Sequence, residues 1–316
     1  MQLATLPFFE RLAPATTVLL AGAGGGFDVL AGLPIYFALR AKGVRVHLAN
    51  LSFTRLDAVE GRRIAPSCVE VGPDSNGPSD YFPEKHLAAW LRQRGEDARV
   101  FAFDKTGVVP LKNAYEALAS ELACDTLVLV DGGSDSLLRG DEANLGTPAE
   151  DMASIAAADD LALRDKLLVS IGFGVDAFHG VCHAHVLENV AALIRDGGFL
   201  GAFSVLPAMP EFALYRAAVE HVHAAMPAQA SIVNASILSA VEGDFGDVHR
   251  TDRTRGSKLW INPIMAMYFA VDLGVLARRV PYLHHLKSTR TMFEVSAVIE
   301  ASQRELTTRP RAAIPV

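Results

Sequence analysis

The densest group of chemically competent side chains lies in residues 131–142, which read DGGSDSLLRGDE and follow a strongly apolar run. Carboxylates on a glycine-containing loop offer the oxygen ligands that Mg²⁺ or another divalent cation prefers, and a carboxylate free of metal can act as a general base. We therefore predict catalytic roles for Asp131, Asp135 and Asp141, with a divalent metal at Asp131 and Asp135. No further cofactor is identified. The neighbours predicted to contact the ligand are Gly132, Gly133 and Ser134.

The same segment also has a purely structural interpretation. Ser134 or Asp135 would cap a helix, and Asp135 would pair with Arg139 four residues later. The residue types alone leave both interpretations open.

A second glycine-bearing turn occupies residues 170–176, SIGFGVD, at the end of the next predicted strand. In a doubly wound sheet, ligands bind beyond the carboxyl ends of the strands, so Asp176 joins the predicted catalytic residues. His179, His183 and His185 follow this turn. The first two would share a helix face that suits a metal, but their spacing matches no metal-binding signature. We favour partly buried structural histidines and leave their role open.

Glycines separate a β-rich strand from a helical pattern in residues 17–43. Glycine lets the backbone approach a ligand closely, and the amides that open the helix suit an anion. The dinucleotide fingerprint is incomplete, because Phe27 replaces its third glycine and no carboxylate ends the second strand to hold a ribose. Binding of NAD or S-adenosylmethionine, and tight packing without a ligand, are the alternatives to an anion site. The predicted ligand contacts of this region are Gly24, Gly25, Gly26, Asp28 and Asn50.

Basic side chains cluster in residues 249–258, HRTDRTRGSK, of an otherwise acidic chain. Because arginine binds phosphate or carboxylate in a bidentate manner, we predict that Arg253 and Arg255 bind an anionic substrate. A solvated charged hairpin is the alternative. Upstream, Asn234 lies in a small polar group within an apolar stretch, and we predict that it contacts the ligand.

The elements that must position these residues alternate between strands and helices. This alternation predicts an α/β fold with a doubly wound, mostly parallel sheet and helices on both faces. The predicted strands cover residues 17–21, 44–51, 99–103, 126–131, 166–171 and 199–205. The predicted helices cover residues 30–39, 84–94, 111–123, 148–161, 183–195, 211–225 and 291–306.

Two regions are less regular. Residues 54–97 begin with a long proline-rich excursion, which is either an active-site loop or a floppy insertion. In the last third, residues 231–238 form a strand or a short helix, residues 263–276 have helical spacing, and the tail 307–316 is predicted to fray. We place this irregular third, residues 206–316, on the same sheet, within one α/β domain that spans residues 1–316.

Composition limits the classes of partner. The 316 residues are 50% hydrophobic, enough for a large core, and carry a formal charge of −7, which argues against nucleic acid and anionic membranes. The three cysteines lack disulfide or zinc-site spacing. We find no signal peptide and no apolar run of about twenty residues, so we expect a cytoplasmic protein. A homo-oligomer is left open.

Several motifs together resemble the uncharacterised family named domain of unknown function 1152. They are GGGFD at residues 24–28, DGGSDSLLRGDE at 131–142, LGTPAED at 145–151, SIVNASI at 231–237 and RGSKLWINPIMAMYF at 255–269. The resemblance extends from Gly22 to Glu300 and implies a Rossmann-like α/β fold, but it carries no catalytic residue over. Residues 177–185, AFHGVCHAH, depart from the acidic, histidine-poor segment of the family, which would fit a distinct substrate.

The residues favour an enzyme that acts on a small polar anionic metabolite, such as a nucleotide, a sugar phosphate or a carboxylate, by hydrolysis or group transfer. No serine elbow of the GxSxG type and no phosphate-binding GxxxxGK[ST] loop is present. The alternatives are an NAD(P)-dependent oxidoreductase and a non-catalytic metabolite-binding sensor.

Overall fold

A nine-stranded mixed sheet forms the centre of the protein in the computed structural model, which describes residues 5–314. Its strands are β1 (Thr17–Gly22), β2 (Arg45–Leu51), β3 (Arg63–Ala65), β4 (Cys68–Val71), β5 (Val100–Phe103), β6 (Thr126–Gly132), β7 (Asp165–Ile171), β8 (Phe199–Ser204) and β9 (Met267–Asp272). They lie in the order β3-β4-β5-β2-β1-β6-β7-β9-β8. The five strands from β5 to β7 in this order are parallel, and the remaining pairs are antiparallel. The predicted Rossmann-like α/β fold is confirmed, with antiparallel strands added at both ends of the sheet.

Helices cover both faces of the sheet. Those found within residues 5–314 are α1 (Pro7–Leu12), α2 (Asp28–Ala31), α3 (Leu33–Ala41), α4 (Pro83–Gln93), α5 (Val108–Glu121), α6 (Pro148–Asp159), α7 (His183–Arg195), α8 (Pro210–Ala225), α9 (Ile232–Glu242), α10 (Leu273–Arg279), α11 (Leu283–Leu286) and α12 (Met292–Glu305). Helices α5–α7 and α10–α12 pack on one face, and helices α1–α4, α8 and α9 pack on the other. Within β1, Leu19 and Ala21 face the first layer, and Val18 and Leu20 face the second. A central strand that is apolar on both faces is typical of a covered parallel sheet.

The strand order reverses beside β1. From β1 the chain crosses to β2 on one side, and from β5 it returns through α5 to β6 on the other side. The carboxyl ends of the three strands are level, because Gly22 of β1 is in register with Asn50 of β2 and with Val130 of β6. The loops that follow β1 and β6 therefore diverge and leave a crevice, which is where such sheets bind ligands.

The last third of the chain contains a strand where helical spacing predicted a helix. Residues 263–266 form a 3₁₀ turn, residues 267–272 form β9, and only residues 273–279 are helical. The prediction was wrong because the run MYFAV is buried on both faces, with Tyr268 and Ala270 in one layer and Phe269 and Val271 in the other. A short run that is apolar on both faces has no period that separates a strand from a helix.

Two other ambiguous regions are now assigned. The segment 231–238 belongs to α9, whose first turn is capped by Ser231 Oγ accepting from the backbone N–H of Asn234 at 3.1 Å. The excursion after β2 contains the hairpin β3–β4, and β4 pairs with β5. Within residues 5–314, no helix has both the length and the apolar character needed to cross a bilayer.

One glycine behind the crevice allows a helix to lie directly on the sheet. Gly32 separates α2 from α3, and a Cβ atom there would lie 2.4 Å from Leu20 Cδ2 and 3.0 Å from Val130 Cγ2. We expect Gly32→Ala to lower the free energy of unfolding by about 1–3 kcal/mol through overpacking, measured by urea denaturation. Gly72→Ala is the matched control, because a Cβ atom at Gly72 meets nothing within 4 Å. Equal losses in the two variants would contradict this account of Gly32.

Candidate functional site

A cavity of about 610 Å³ opens at the carboxyl ends of β1 and β6, at the reversal of strand order. Its walls come from several segments that are distant in sequence, and five of them contribute most of the lining. They are the glycine loop 24–28, the end of β6, the start of α6, the turn at residues 175–179, and the segment formed by the start of α9 with residues 253–259. The cavity therefore unites the acidic loop, the glycine loop and the basic loop that sequence analysis selected separately.

Five aspartates form the floor of this cavity, and we call them the carboxylate cluster. They are Asp28, Asp131, Asp135, Asp151 and Asp176. All five line the cavity, and each is at most 8% exposed. Burial raises the pKa of Asp28 to about 7, although the N–H of Gly24 opposes that shift. Burial, and after it repulsion by neighbouring carboxylates, raises the pKa of Asp131, Asp151 and Asp176 well above the usual range. Burial also raises the pKa of Asp135. Desolvation and like charge thus act together to disfavour ionisation.

Glycines allow the carboxylates to come this close. A Cβ atom at Gly24 would lie 2.8 Å from Asp151 Oδ1, and one at Gly132 would lie 2.8 Å from Asp28 Oδ1. A Cβ atom at Gly133 would lie 2.8 Å from Asp176 Oδ2. Gly24, Gly132 and Gly133 therefore make room for protein carboxylates.

Neighbouring donors hold four of the five aspartates in place. Gly24 donates its N–H to Asp28 Oδ2 at 2.7 Å, and Ser136 donates its hydroxyl to Asp131 Oδ2. Thr147 donates its N–H to Asp135 Oδ2 at 2.9 Å, and Ser134 donates its N–H to Asp176 Oδ2 at 2.6 Å. Ser134 and Gly133, which were predicted to contact the ligand, do not line the cavity. Asp151 differs, because its buried Oδ1 has no hydrogen-bond partner among residues 5–314.

One subset of the cluster has the spacing of metal ligands. Carboxylate oxygens of Asp28, Asp131 and Asp151 all lie within 4.8 Å of one another. The predicted metal pair was Asp131 and Asp135, and of these two residues Asp131 belongs to this group and Asp135 does not. His179 lines the cavity wall. His183 packs edge-on against Trp260, and no His joins a group with metal-ligand spacing within the described residues.

Two basic side chains and the glycine amides supply positive potential in the same cavity. Lys105 forms an ion pair with Glu150 and lies 5.0 Å above the ring of Phe53. Arg253 lines the wall and donates to the backbone oxygen of Ala230 at 2.9 Å. Gly25 and Gly26 have φ of 91° and 66°, and neither donates its N–H to another residue of 5–314. Donors for an anionic group are therefore present beside the acidic floor.

The structure corrects the placement of Asp141, which the sequence assigned to the same centre. Asp141 does not line the cavity, and its Oδ1 accepts from Arg309 Nε at 2.9 Å. Its backbone oxygen accepts from the N–H of Arg309 at 2.7 Å, so the tail is fixed at this point rather than frayed. Residues 315 and 316 lie outside the described part of the chain. Asp141 has a structural partner that neutralises its charge.

Two polar residues predicted to touch the ligand are buried behind the cavity instead. Asn50 is fully buried and donates to the backbone oxygen of Gly26 at 2.9 Å and to Glu84 Oε1 at 2.8 Å. Asn234 accepts from Tyr215 Oη at 2.7 Å and donates to the backbone oxygen of Phe27. Both residues brace the glycine loop from below, because they hold its carbonyl groups.

The second predicted arginine also lies away from the cavity. Arg255 pairs with Asp252 on the surface, where its side chain is 79% exposed. Of the two predicted arginines, Arg253 lines the cavity and Arg255 does not.

Two features that line the cavity, the acidic start of α6 and Lys105, were not among the predicted site residues. The helix α6 begins with residue types that are common at helix starts, namely Pro148, Glu150 and Asp151. Acidic residues in a first turn are explained by their favourable interaction with the helix dipole. A signal for Asp151 was nevertheless present. Asp151 shares one helix face with the buried Ile155 and Ala158, at the spacing of a core position. A carboxylate at a core position of an amphipathic helix indicates a buried site.

The fold and cavity define an α/β protein with a Rossmann-like doubly wound sheet and an acidic cavity at the reversal of its strand order. The chain belongs to the family described as Protein of unknown function (DUF1152), whose model matches residues 19–306. The resemblance of the motifs to this family is thereby confirmed. No curated protein matches the chain.

The unpartnered carboxylate of Asp151 leads to a stability prediction. Asp151→Asn replaces a carboxyl group whose ionisation is disfavoured with a permanently neutral amide that can donate to a neighbouring carboxylate. We expect the variant to be more stable than the wild type by roughly 1–3 kcal/mol at neutral pH in the presence of a chelator, the scale of one unsatisfied buried group. Thermal unfolding measures the difference.

Asp80→Asn is the control for this measurement. Asp80 is exposed, so the same substitution relieves no burial there. A wild type that is more stable than Asp151→Asn under these conditions would contradict the repulsion account.

Proposed function

We propose that the protein is an enzyme that binds a small polar metabolite carrying a phosphate or carboxylate group and hydrolyses it or transfers a group from it. The observation that carries this proposal is the convergence of five buried aspartates and the unpaired amides of Gly25 and Gly26 in one cavity. Buried titratable groups collected in a cleft are typical of catalytic centres, because structural carboxylates are usually paired.

The amides and the basic side chains supply the binding part of the proposal. An anionic group placed against Gly25 and Gly26 would accept hydrogen bonds from their N–H groups, and Arg253 lines the same cavity. Arg253 donates to Ala230 through Nη1, so its other nitrogens are available for a bidentate contact. Phe53 and Phe178, which are 47% and 68% exposed, also line the cavity and give an apolar part of the metabolite a surface.

Asp176 supplies the proton-transfer part. Ser134 donates its N–H and its hydroxyl to Oδ2 of Asp176, which fixes the carboxylate and leaves Oδ1 to accept a proton. We assign Asp176 as the general base. It removes the proton from water or from an acceptor hydroxyl as that oxygen bonds to the phosphorus or carbonyl carbon of the metabolite, and the leaving group departs with the bonding pair. Asp135, held by Thr147, is the second candidate for this role.

Two functions from other classes are alternatives to this proposal. An NAD(P)-dependent oxidoreductase is less favoured, because Asn50 is buried by its own contacts and offers nothing to a ribose. A non-catalytic sensor would use the same cavity without turnover. We also propose a cytoplasmic location, since Cys68, Cys124 and Cys182 are buried free thiols, as expected in a reducing compartment.

The purified protein is incubated with a panel of nucleotides, sugar phosphates and small carboxylates, and mass spectrometry measures how much of each compound remains. We expect the protein to consume one chemical class of the panel. Asp176→Asn should lower kcat for that substrate by about 10²–10⁴, the usual contribution of general base catalysis, with little change in KM. Stoichiometric retention of a metabolite without turnover would support the sensor instead. Quenching of NADH fluorescence on binding would support the oxidoreductase.

The two arginines of the basic loop form a matched pair for testing substrate charge. Arg253→Met should raise KM for the anionic substrate several-fold and leave kcat nearly unchanged, because the residue binds without taking part in proton transfer. Arg255→Met should change neither constant, since this side chain lies outside the cavity. Steady-state kinetics on both variants tests this prediction. Equal changes in KM in the two variants would exclude a specific contact between Arg253 and the substrate.

A further inference from the structure

Three carboxylates from three different elements converge in the cavity. Asp28 opens α2, Asp131 lies in the end of β6, and Asp151 lies in the first turn of α6. One oxygen from each lies within 4.8 Å of the other two. We propose that Asp28, Asp131 and Asp151 bind a hard divalent cation such as Mg²⁺, Mn²⁺ or Ca²⁺.

The spacing of these oxygens fits such an ion. Opposite ligands of an ion bound at about 2.1 Å, as for Mg²⁺, lie about 4.2 Å apart, and the separation rises to about 4.8 Å for an ion such as Ca²⁺ bound at about 2.4 Å. The three oxygens thus fit around one ion, and the open side toward the cavity leaves coordination positions for water or a ligand. An all-oxygen set of ligands selects hard cations over zinc or copper.

Asp151 gives a second, independent reason to place an ion here. Its Oδ1 is buried and has no hydrogen-bond partner among residues 5–314, and the residue as a whole is 2% exposed. No Lys, Arg or His of the described chain forms an ion pair with any of the three carboxylates, and Lys105 of the cavity wall pairs with Glu150 instead. A buried carboxylate without a donor or a countercharge is costly, and a bound dication supplies the missing partner.

The surrounding donors are arranged as supports for ligands. Ser136 binds Oδ2 of Asp131, and Gly24 binds Oδ2 of Asp28, so each carboxylate is fixed through one oxygen. Such outer contacts orient the ligands of metal sites and increase metal affinity. Gly24, with no side chain, leaves the space between Asp28 and Asp151 open.

The cation site deepens the proposed function and rests on it for its role in catalysis. An anionic metabolite that enters this cavity meets five aspartates, and those that are ionised would repel it unless a cation offsets their charge. A dication bound at the floor would hold the anionic group between itself and the amides of Gly25 and Gly26. The substrate class is therefore an anion that binds together with a divalent ion.

Mn²⁺ added to chelator-treated, metal-free protein tests the site without any substrate. The EPR signal of free aqueous Mn²⁺ should decrease until one ion is bound per chain, and Mg²⁺ or Ca²⁺ should compete. Asp151→Asn should weaken Mn²⁺ binding about 10-fold or more, at least as much as loss of an outer contact. This variant is expected to fold, because the substitution relieves repulsion.

Two variants separate a specific site from general attraction to an acidic cavity. Glu150→Gln removes a charge from the same cavity next to Asp151 but none of the three proposed ligands, so it should weaken Mn²⁺ binding far less than Asp151→Asn does. Asp80→Asn removes an exposed charge and should retain wild-type Mn²⁺ affinity. Absence of saturable Mn²⁺ binding at millimolar concentration, or equal weakening by Glu150→Gln and Asp151→Asn, would overturn the proposed site.

The failure of this inference and the failure of the proposed function have different signatures. Specific Mn²⁺ binding with no turnover of any metabolite in the panel leaves the cation site standing and removes the enzyme. Turnover that persists in chelator, by a protein that binds no Mn²⁺, removes the cation site and leaves the enzyme.

Discussion

Mutual repulsion among buried carboxylates is the constraint on which this structure depends. Five aspartates meet where β1, β6 and β7 end, and burial disfavours the ionised form of each. The chain can hold them together only because the strands beneath are apolar on both faces and are covered by two layers of helices. The stability of the sheet therefore supports an arrangement that is locally unfavourable. Proteins retain such local costs where function requires them.

The charged side chains of the cavity differ in burial. The five aspartates are buried, while the side chains of Lys105 and Arg253 are exposed. Under the proposed function, a ligand that is anionic at one end would place that charge against the amides of Gly25 and Gly26. The glycine loop serves two purposes. Gly24 makes room for the carboxylates, while Gly25 and Gly26 have N–H groups that no other residue accepts within residues 5–314.

Position after a strand made much of the site predictable. Asp131 and Asp176 follow apolar runs, and residues at the carboxyl ends of parallel strands share one edge of the sheet. Asp141 belongs to the same acidic motif, but its partner Arg309 is 168 residues away, and such a pairing has no local signal. Asp151 was missed for the opposite reason, since a local rule for helix starts already explained an acid there.

Prediction of the fold also succeeded only where the sequence carries a local or repeating signal. The central parallel strands were predictable because alternation of strands and helices constrains their order. The strand β9 was not, because a run that is buried on both faces has no distinguishing period. The antiparallel hairpin β3–β4 was hidden in a proline-rich segment, where turn residues outnumbered those typical of strands.

The position of β9 has a consequence for synthesis of the chain. This strand lies between β7 and β8 in the sheet but follows both in sequence, so a ribosome releases β8 long before its hydrogen-bonding partner exists. Until residues 267–272 emerge, the edge of β7 is unpaired and β8 has nothing to pair with. Unpaired edges of this kind recruit strands from other chains. Nascent chains, and products truncated before β9, are therefore the forms of this protein most exposed to aggregation.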